Sequence, residues 1–421
     1  MTDMDAGALE VESHGMRAPG TAMMVAGSLV AAVAAYLFQI VVGRALGDVA
    51  FAPVGALWTV LFILATILLV PLEQFATRET VRRRHVVAYD GWIVLGVTLV
   101  ATAAGGGFVL ATLDRFFGGE PIHALQMALM MFVYGALFVG RGVLAGERRF
   151  AAVGLVLALE SGVRLLIAVI VVALGGDAVA VGWSMVVGGL AVFVVPFWRA
   201  PEEVNPDTAH RPVRFLGAYA SGSAASQIML AASPLAVGFL GGTPALFSIV
   251  FYTYTLFRAP LTLIYSLQGR LLSMLARLVE AGRRARVRAL SAVFAGVGMV
   301  LTLVAWEAGR LAGPSVVVAL LGEQFRPSVE VAGFVAAGMV AASSAQITGQ
   351  VLVAEGRTGR LAVSWTVGLA LALVMLAVRS GQPDVSVARA FALGETAALS
   401  LVGYMVLRLH RAPDERQPIG P

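Results

Sequence analysis

Residues 199–212 read Arg-Ala-Pro-Glu-Glu-Val-Asn-Pro-Asp-Thr-Ala-His-Arg-Pro. Three prolines and five charged side chains in fourteen residues exclude a membrane-spanning helix and mark a polar linker. Six apolar runs precede it, at 21–43, 50–76, 88–112, 122–144, 151–174 and 178–198. Six follow, at 213–240, 244–269, 289–311, 328–353, 361–379 and 385–408. A hydrocarbon layer about 30 Å thick needs roughly 20 apolar residues in helical form, and the runs supply that length. The expected fold is an all-α polytopic membrane protein with twelve transmembrane helices in two six-helix lobes. The N-lobe is expected over 20–198, the cytoplasmic linker over 199–212 and the C-lobe over 213–408. A disordered, polar N-terminus (1–19) and a cytoplasmic tail (409–421) flank them.

The arginines set the expected orientation. The chain has no lysine, so all 30 basic residues are arginine. Counting the two ends and the loops after the second, fourth, sixth, eighth and tenth runs, 21 fall on one side. The opposite loops hold six, and Arg141, Arg164 and Arg258 fall inside runs. Arginine-rich loops stay in the cytoplasm, which places both termini there, in a bacterial cytoplasmic membrane. With six spans each, the halves share one orientation, so an internal repeat would be related by an axis along the membrane normal. Short echoes support a repeat: Val42-Gly43 with Val237-Gly238, Val70-Pro71-Leu72 with Ala259-Pro260-Leu261, and Val143-Leu-Ala-Gly-Glu-Arg148 with Val351-Leu-Val-Ala-Glu-Gly-Arg357.

Composition excludes several chemistries. Hydrophobic residues make up 59% and charged residues 13%, against about a quarter charged in soluble domains. Without cysteine there is no disulfide or thiolate metal site. Without lysine there is no phosphate-cradling P-loop and no Schiff base. The five histidines (His14, His85, His123, His210, His410) are scattered without metal-ligand spacing, so no cofactor or metal is expected. The basic balance serves topology, not nucleic acid.

The segments Gly43-Arg-Ala-Leu-Gly-Asp48, Pro71-Leu-Glu-Gln-Phe-Ala-Thr-Arg78, Phe257-Arg-Ala-Pro-Leu261, Leu320-Leu-Gly-Glu-Gln-Phe325 and Val351-Leu-Val-Ala-Glu-Gly-Arg357 carry a family resemblance. Together, over about 20–408, they resemble the polysaccharide-biosynthesis flippases of the MOP/MATE-like multidrug and oligosaccharidyl-lipid exporter superfamily. The resemblance implies two lobes facing a central cavity and alternating access. It implies a polyprenyl-pyrophosphate-linked oligosaccharide, or similar lipid-linked glycan precursor, moved from inner to outer leaflet. The implied partners are that substrate and membrane lipids. A monomer, and association with a glycan polymerase or glycosyltransferases, both stay open.

Charged side chains inside a membrane are expensive and face the protein interior. Arg258 and Arg164 fall near the middle of the eighth and fifth runs, and Glu395 near the middle of the twelfth. Arginine suits phosphate oxygens through its planar fork, so Arg258 leads the candidate substrate residues, and Pro260 beside it should kink the helix. Arg164 has Glu160 at the i−4 position, so the two can equally be a neutralised structural pair. Arg141 can contact substrate or extend to the cytoplasmic interface, and Glu73 can pair with Arg78. Gln39, Gln227, Gln268 and Gln346 can bond sugar hydroxyls. Trp58, Trp92, Trp183, Trp198 and Trp306 read as interface anchors or packing.

Three other functions compete. A cation-coupled multidrug exporter of the same superfamily commonly relies on a buried acid in its first or seventh span. Runs 21–43 and 213–240 contain no Asp or Glu, although Glu160 or Glu395 can substitute. A membrane glycosyltransferase or polymerase needs convergent acids on an external loop, and Asp114, Asp177, Glu323 and Asp384 stand apart. A major-facilitator carrier lacks its expected glycine- and aspartate-bearing loop after the second span.

Overall fold

The computed structural model describes residues 18–81, 90–197, 212–378 and 381–409. The N-terminus before 18, the linker over 199–211, the arginines at 82–84 and the tail from 410 lie outside the described residues. Among the described residues there are helices and turns but no strand. An apolar chain in lipid must satisfy every backbone N–H and C=O internally, and a helix does so within one segment.

The long helices are α1 (Ala18–Ala50), α2 (Ala52–Val81), α3 (Gly91–Ala111), α4 (Ile122–Gly146) and α5 (Phe150–Ala173). Then follow α6 (Ala178–Val194, its last turn 3-10), α7 (Pro212–Phe239) and α8 in two pieces, α8a (Pro244–Phe257) and α8b (Ala259–Glu280). Last come α9 (Arg284–Leu321), α10 (Val329–Ala354), α11 (Thr358–Ala377) and α12 (Pro383–Leu409). Among the described residues nine helices are long and apolar enough to cross a membrane. Three apolar helices are shorter, Ala178–Val194, Gln227–Phe239 and Pro244–Phe257, and they lie in the sixth, seventh and eighth runs. The chain divides into two compact units, Met1–Ser221 and Gly222–Pro421, with the boundary inside α7.

Helix ends follow local chemistry. The side chains of Asp177, Thr243 and Ser328 accept from the N–H groups of Ala180, Leu246 and Val331, opening α6, α8a and α10. At the ends of α4 and α10 the same two bonds recur. Arg148 N donates to Ala145 O (3.0 Å) and Arg149 N to Leu144 O (2.9 Å). Gly356 N donates to Val353 O (3.0 Å) and Arg357 N to Leu352 O (2.7 Å). The same pair also closes α5, α7 and α8b, so it does not single out the third sequence echo; by place in the ending, Arg148 corresponds to Gly356 and Arg149 to Arg357. Both central residues are left-handed, with φ 59° at Arg148 and 70° at Gly356.

The second echo has a structural counterpart. A proline ring collides with the carbonyl four residues earlier and removes a donor. Before Pro71, α2 accommodates this with a π turn over Ala65–Leu69, Val70 N bonding Ala65 O. Before Pro260, α8 breaks outright at Arg258, which ends α8a and begins α8b.

Glycine lets backbones touch within each unit, where lipid offers no hydrophobic drive to association. In the first unit α1 crosses α5: a Cβ on Gly154 would stand 2.5 Å from Met23 O, and one on Gly27 2.1 Å from Gly154 O. In the second unit α11 meets α12 at Gly368 and Gly394, where added Cβ atoms would stand 2.6 and 2.8 Å from the opposing glycine's carbonyl oxygen.

Candidate functional site

The charged side chains within the apolar runs include three groups: Arg164 with Glu160 and Arg141 with Glu73 in the first unit, and Arg258 near Glu395 in the second. The first is centred on Arg164 of α5, which is 4% exposed, and Glu160, 8% exposed. Arg164 Nη1 donates to Glu160 Oε1 at 2.5 Å and to Tyr134 Oη at 3.1 Å, and Nη2 donates to Ser161 Oγ at 3.2 Å. Tyr134 of α4 donates to Glu160 Oε1 (2.5 Å), and Ser161 Oγ to Glu160 Oε2 (2.7 Å). Both carboxylate oxygens are thus occupied. The guanidinium also lies 4.7 Å from the Trp58 ring centroid of α2 and 5.5 Å from Phe38 of α1, two rings stacked 5.6 Å apart. Gly188 of α6 closes the other side: a Cβ there would stand 2.8 Å from Glu160 O and 2.9 Å from Arg164 Cβ. Glu160 and Arg164 are a sealed, neutralised pair.

Arg141 grips Glu73 across α4 and α2, with Nε to Oε1 at 3.2 Å and Nη2 to Oε1 and Oε2 at 2.9 and 2.7 Å. Glu73 therefore pairs with Arg141, not with Arg78 as local spacing suggested. The Arg141 and Glu73 side chains are 20% and 14% exposed, and Arg141 also lies over the Phe138 ring. The approach exists because Gly142 lets α4 close on α2, where a Cβ would stand 2.5 Å from Glu73 O.

The third group lies where α8a meets α12. Val250, Tyr254, Val387 and Phe391 share one core, and the Tyr254 and Phe391 rings are 4.9 Å apart. One turn further along each helix come Arg258 and Glu395, and the Arg258 charge acts on Glu395. Arg258 thus has an acid neighbour that its own stretch of sequence does not show. Glu395 is fully buried, and neither carboxylate oxygen has a hydrogen-bond partner among the described residues. The Tyr254 hydroxyl is buried with no hydrogen-bond partner among the described residues. Arg258 itself is half-buried at the helix break. Its chain neighbours Leu256 and Phe257 line an apolar groove of about 300 Å³, with Gly309, Gly313, Met339 and Val340 among others of α8a, α9 and α10.

The remaining candidates are not gathered into these clusters by any contact described above. Gln39 is buried in α1, next to Phe38. Gln227 and Gln346 are partly buried in α7 and α10, and the Gln268 side chain lies outside the described residues. Sequence reasoning missed Tyr134, Trp58 and Phe38 around Arg164. No spacing links them to it, and Trp58 is a cation-facing ring rather than an interface anchor. Tyr254 was reachable, since it stands four residues before Arg258 on one helical face. His123 is not a loop residue: it is buried at the start of α4, with Nδ1 2.8 Å from Gln126 Oε1, while Gln126 Nε2 donates to Val179 O at 2.7 Å. No group of three or more His, Asp or Glu that could hold a metal occurs among the described residues.

No protein-family model matches the chain. Uncharacterized proteins of Mycobacterium tuberculosis and Mycobacterium bovis are 26% identical to it over 313 residues, 70% of this chain and 69% of theirs. Among solved structures it resembles an inward-facing multidrug resistance MATE family transporter of the MOP superfamily, with TM-score 0.70, 14% identity, and 91% and 98% of the two chains covered. It also resembles the lipid II flippase MurJ in its inward closed conformation, with TM-score 0.64, 10% identity, and 90% and 87% covered. At these identities the likeness is one of fold. The chain has the fold of MATE/MOP transporters, and nine helices among the described residues are long and apolar enough to cross a membrane.

Proposed function

We propose that this chain is a flippase. It moves a polyprenyl-pyrophosphate-linked oligosaccharide, or a similar lipid-linked glycan precursor, from the inner to the outer leaflet by alternating access. On this reading it sits in a bacterial cytoplasmic membrane with both termini in the cytoplasm, as the arginine distribution supports. The carrying observation is Arg258: a half-buried arginine inside an apolar run, at a helix interruption, whose chain neighbours Leu256 and Phe257 line an apolar groove. A fork of N–H donors suits a pyrophosphate, and a groove without charge suits a prenyl chain. Gln227 and Gln39 are assigned to sugar hydroxyls. Arg164 and Arg141, engaged by Glu160 and Glu73, are assigned to holding the first unit together near the passenger's path. The likeness to the lipid II flippase supports the substrate class.

The test is transport of a fluorescent lipid-linked oligosaccharide in proteoliposomes. Arg258→Ala should abolish it while the protein remains monodisperse and folded. Normal transport by that variant would remove the reading. A second reading, a cation-coupled multidrug exporter, is favoured by one observation: a buried acid, Glu395, in a fold shared with drug exporters. Ethidium efflux driven by a proton or sodium gradient, with no movement of lipid-linked sugar, would put that reading first.

A further inference from the structure

We infer that Arg258 and Glu395 form an anion-linked proton site, in which an anionic headgroup that engages Arg258 displaces the Glu395 carboxylate and one proton neutralises it. The inference rests on the role given to Arg258 above and adds the ion that accompanies the passenger.

Glu395 sits in a place where a charge has almost no support. It is fully buried, and its oxygens lack hydrogen bonds among the described residues. Gly394 lies against Gly368, with room for no Cβ, so the backbones of α11 and α12 are in direct contact beside Glu395. A buried carboxylate without donors is strongly disfavoured, and it stays ionised only beside a cation. The packing partners supply one near cation. α8a provides Arg258 and the neutral Tyr254. The described side chains of α7 include no ionisable group. α10 has only Glu330, in its first turn, and α11 only Arg360, in its first turn. α9 carries arginines in its first turn, and further along Glu307 and Arg310 bond each other. On α12 itself, Asp384, Arg389, Tyr404 and Arg408 are more than one turn away in sequence. Among the described residues, Arg258 is the charge that acts on Glu395.

Arg258 therefore has two claims on it: Glu395 from the buried side and an incoming anion from the exposed side. When N–H groups turn to phosphoryl oxygens, the carboxylate loses the one cation found to act on it among the described residues. A proton from water then joins a carboxylate oxygen, and no covalent bond between heavy atoms changes. Release of the anion reverses both events. By linkage, affinity for the anion rises as pH falls, by at most about tenfold per pH unit for one proton.

The test uses the purified full-length chain in nanodiscs with farnesyl pyrophosphate as probe. Wild type and Glu395→Gln are titrated over a pH series, and proton uptake is followed with an indicator dye in weak buffer. The probe's own ionisation is common to both and cancels in the comparison. Wild type should take up close to one proton more per bound probe than Glu395→Gln, which should bind with a shallower pH dependence. Equal uptake and equal slopes would overturn the inference. If the probe binds neither protein at any pH, the flippase reading fails, and the site is read without it by infrared spectroscopy. The protonated-carboxyl stretch that disappears in Glu395→Gln should strengthen when Arg258 is replaced by Gln. No change in that band would sink the inference independently of the probe.

Discussion

Each unit sets an arginine near a buried glutamate, and they do so in opposite ways. In the first, Arg164 and Glu160 share one helix, both carboxylate oxygens are bonded, and two aromatic rings cover the guanidinium. In the second, Arg258 and Glu395 come from different helices, the acid has no hydrogen bond among the described residues, and the arginine is half-buried where α8a gives way to α8b. A polar network with most of its groups bonded rigidifies and specifies one core arrangement, which fits an architectural role for the first unit's pair. The exchange inferred above for Arg258 and Glu395 draws on the opposite condition, a buried acid without hydrogen bonds among the described residues.

That contrast can be broken by mutation. The largest effect should come from Arg164→Ala, which strands Glu160 inside the first unit. Removing one partner of a buried pair costs about 3–5 kcal/mol, visible as a clear fall in melting temperature in detergent. Replacing both members by apolar residues should recover most of the loss. A single variant that melts like wild type would show that the pair is not structural. Next, Gly154→Val should destabilise by about 1–3 kcal/mol, because the new side chain meets backbone rather than a movable side chain.

Smaller effects sharpen the comparison. At the matched ends of α4 and α10, the left-handed residue is Arg148 in one unit and Gly356 in the other. Exchanging the occupants should act in opposite directions: Arg148→Gly stabilises and Gly356→Ala destabilises, each by about 1 kcal/mol. Thermal melts of the two variants check the sign. The smallest change in stability should come from Glu395→Gln, within about 1 kcal/mol of wild type or above it, since an unsupported charge is replaced by a neutral group. A fall comparable to that of Arg164→Ala would erase the distinction between the units.

Much of the architecture was legible because a membrane simplifies the code. Run length reports spans, and each described apolar helix falls on a run read from sequence. The glutamate four residues before Arg164 announced its partner, since both lie on one helix. The pairs that were not legible are those between helices. Nothing in the spacing of Glu73 and Arg141, or of Arg258 and Glu395, encodes which helix lies beside which. The aromatic cover of Arg164 was hidden for the same reason, because Trp58 and Phe38 reach it from two other helices. The break at Arg258 was half legible. Pro260 announced a disturbance, but Pro71 produced a π turn from the same cause.

The weak point of α8 coincides with its charged residue. Pro260 supplies no N–H to the helix, so the turn around Arg258 is held by fewer backbone bonds than its neighbours. Were the Ala259–Glu280 arm to tilt, it would yield here first, and the spacing between Arg258 and Glu395 would change with it.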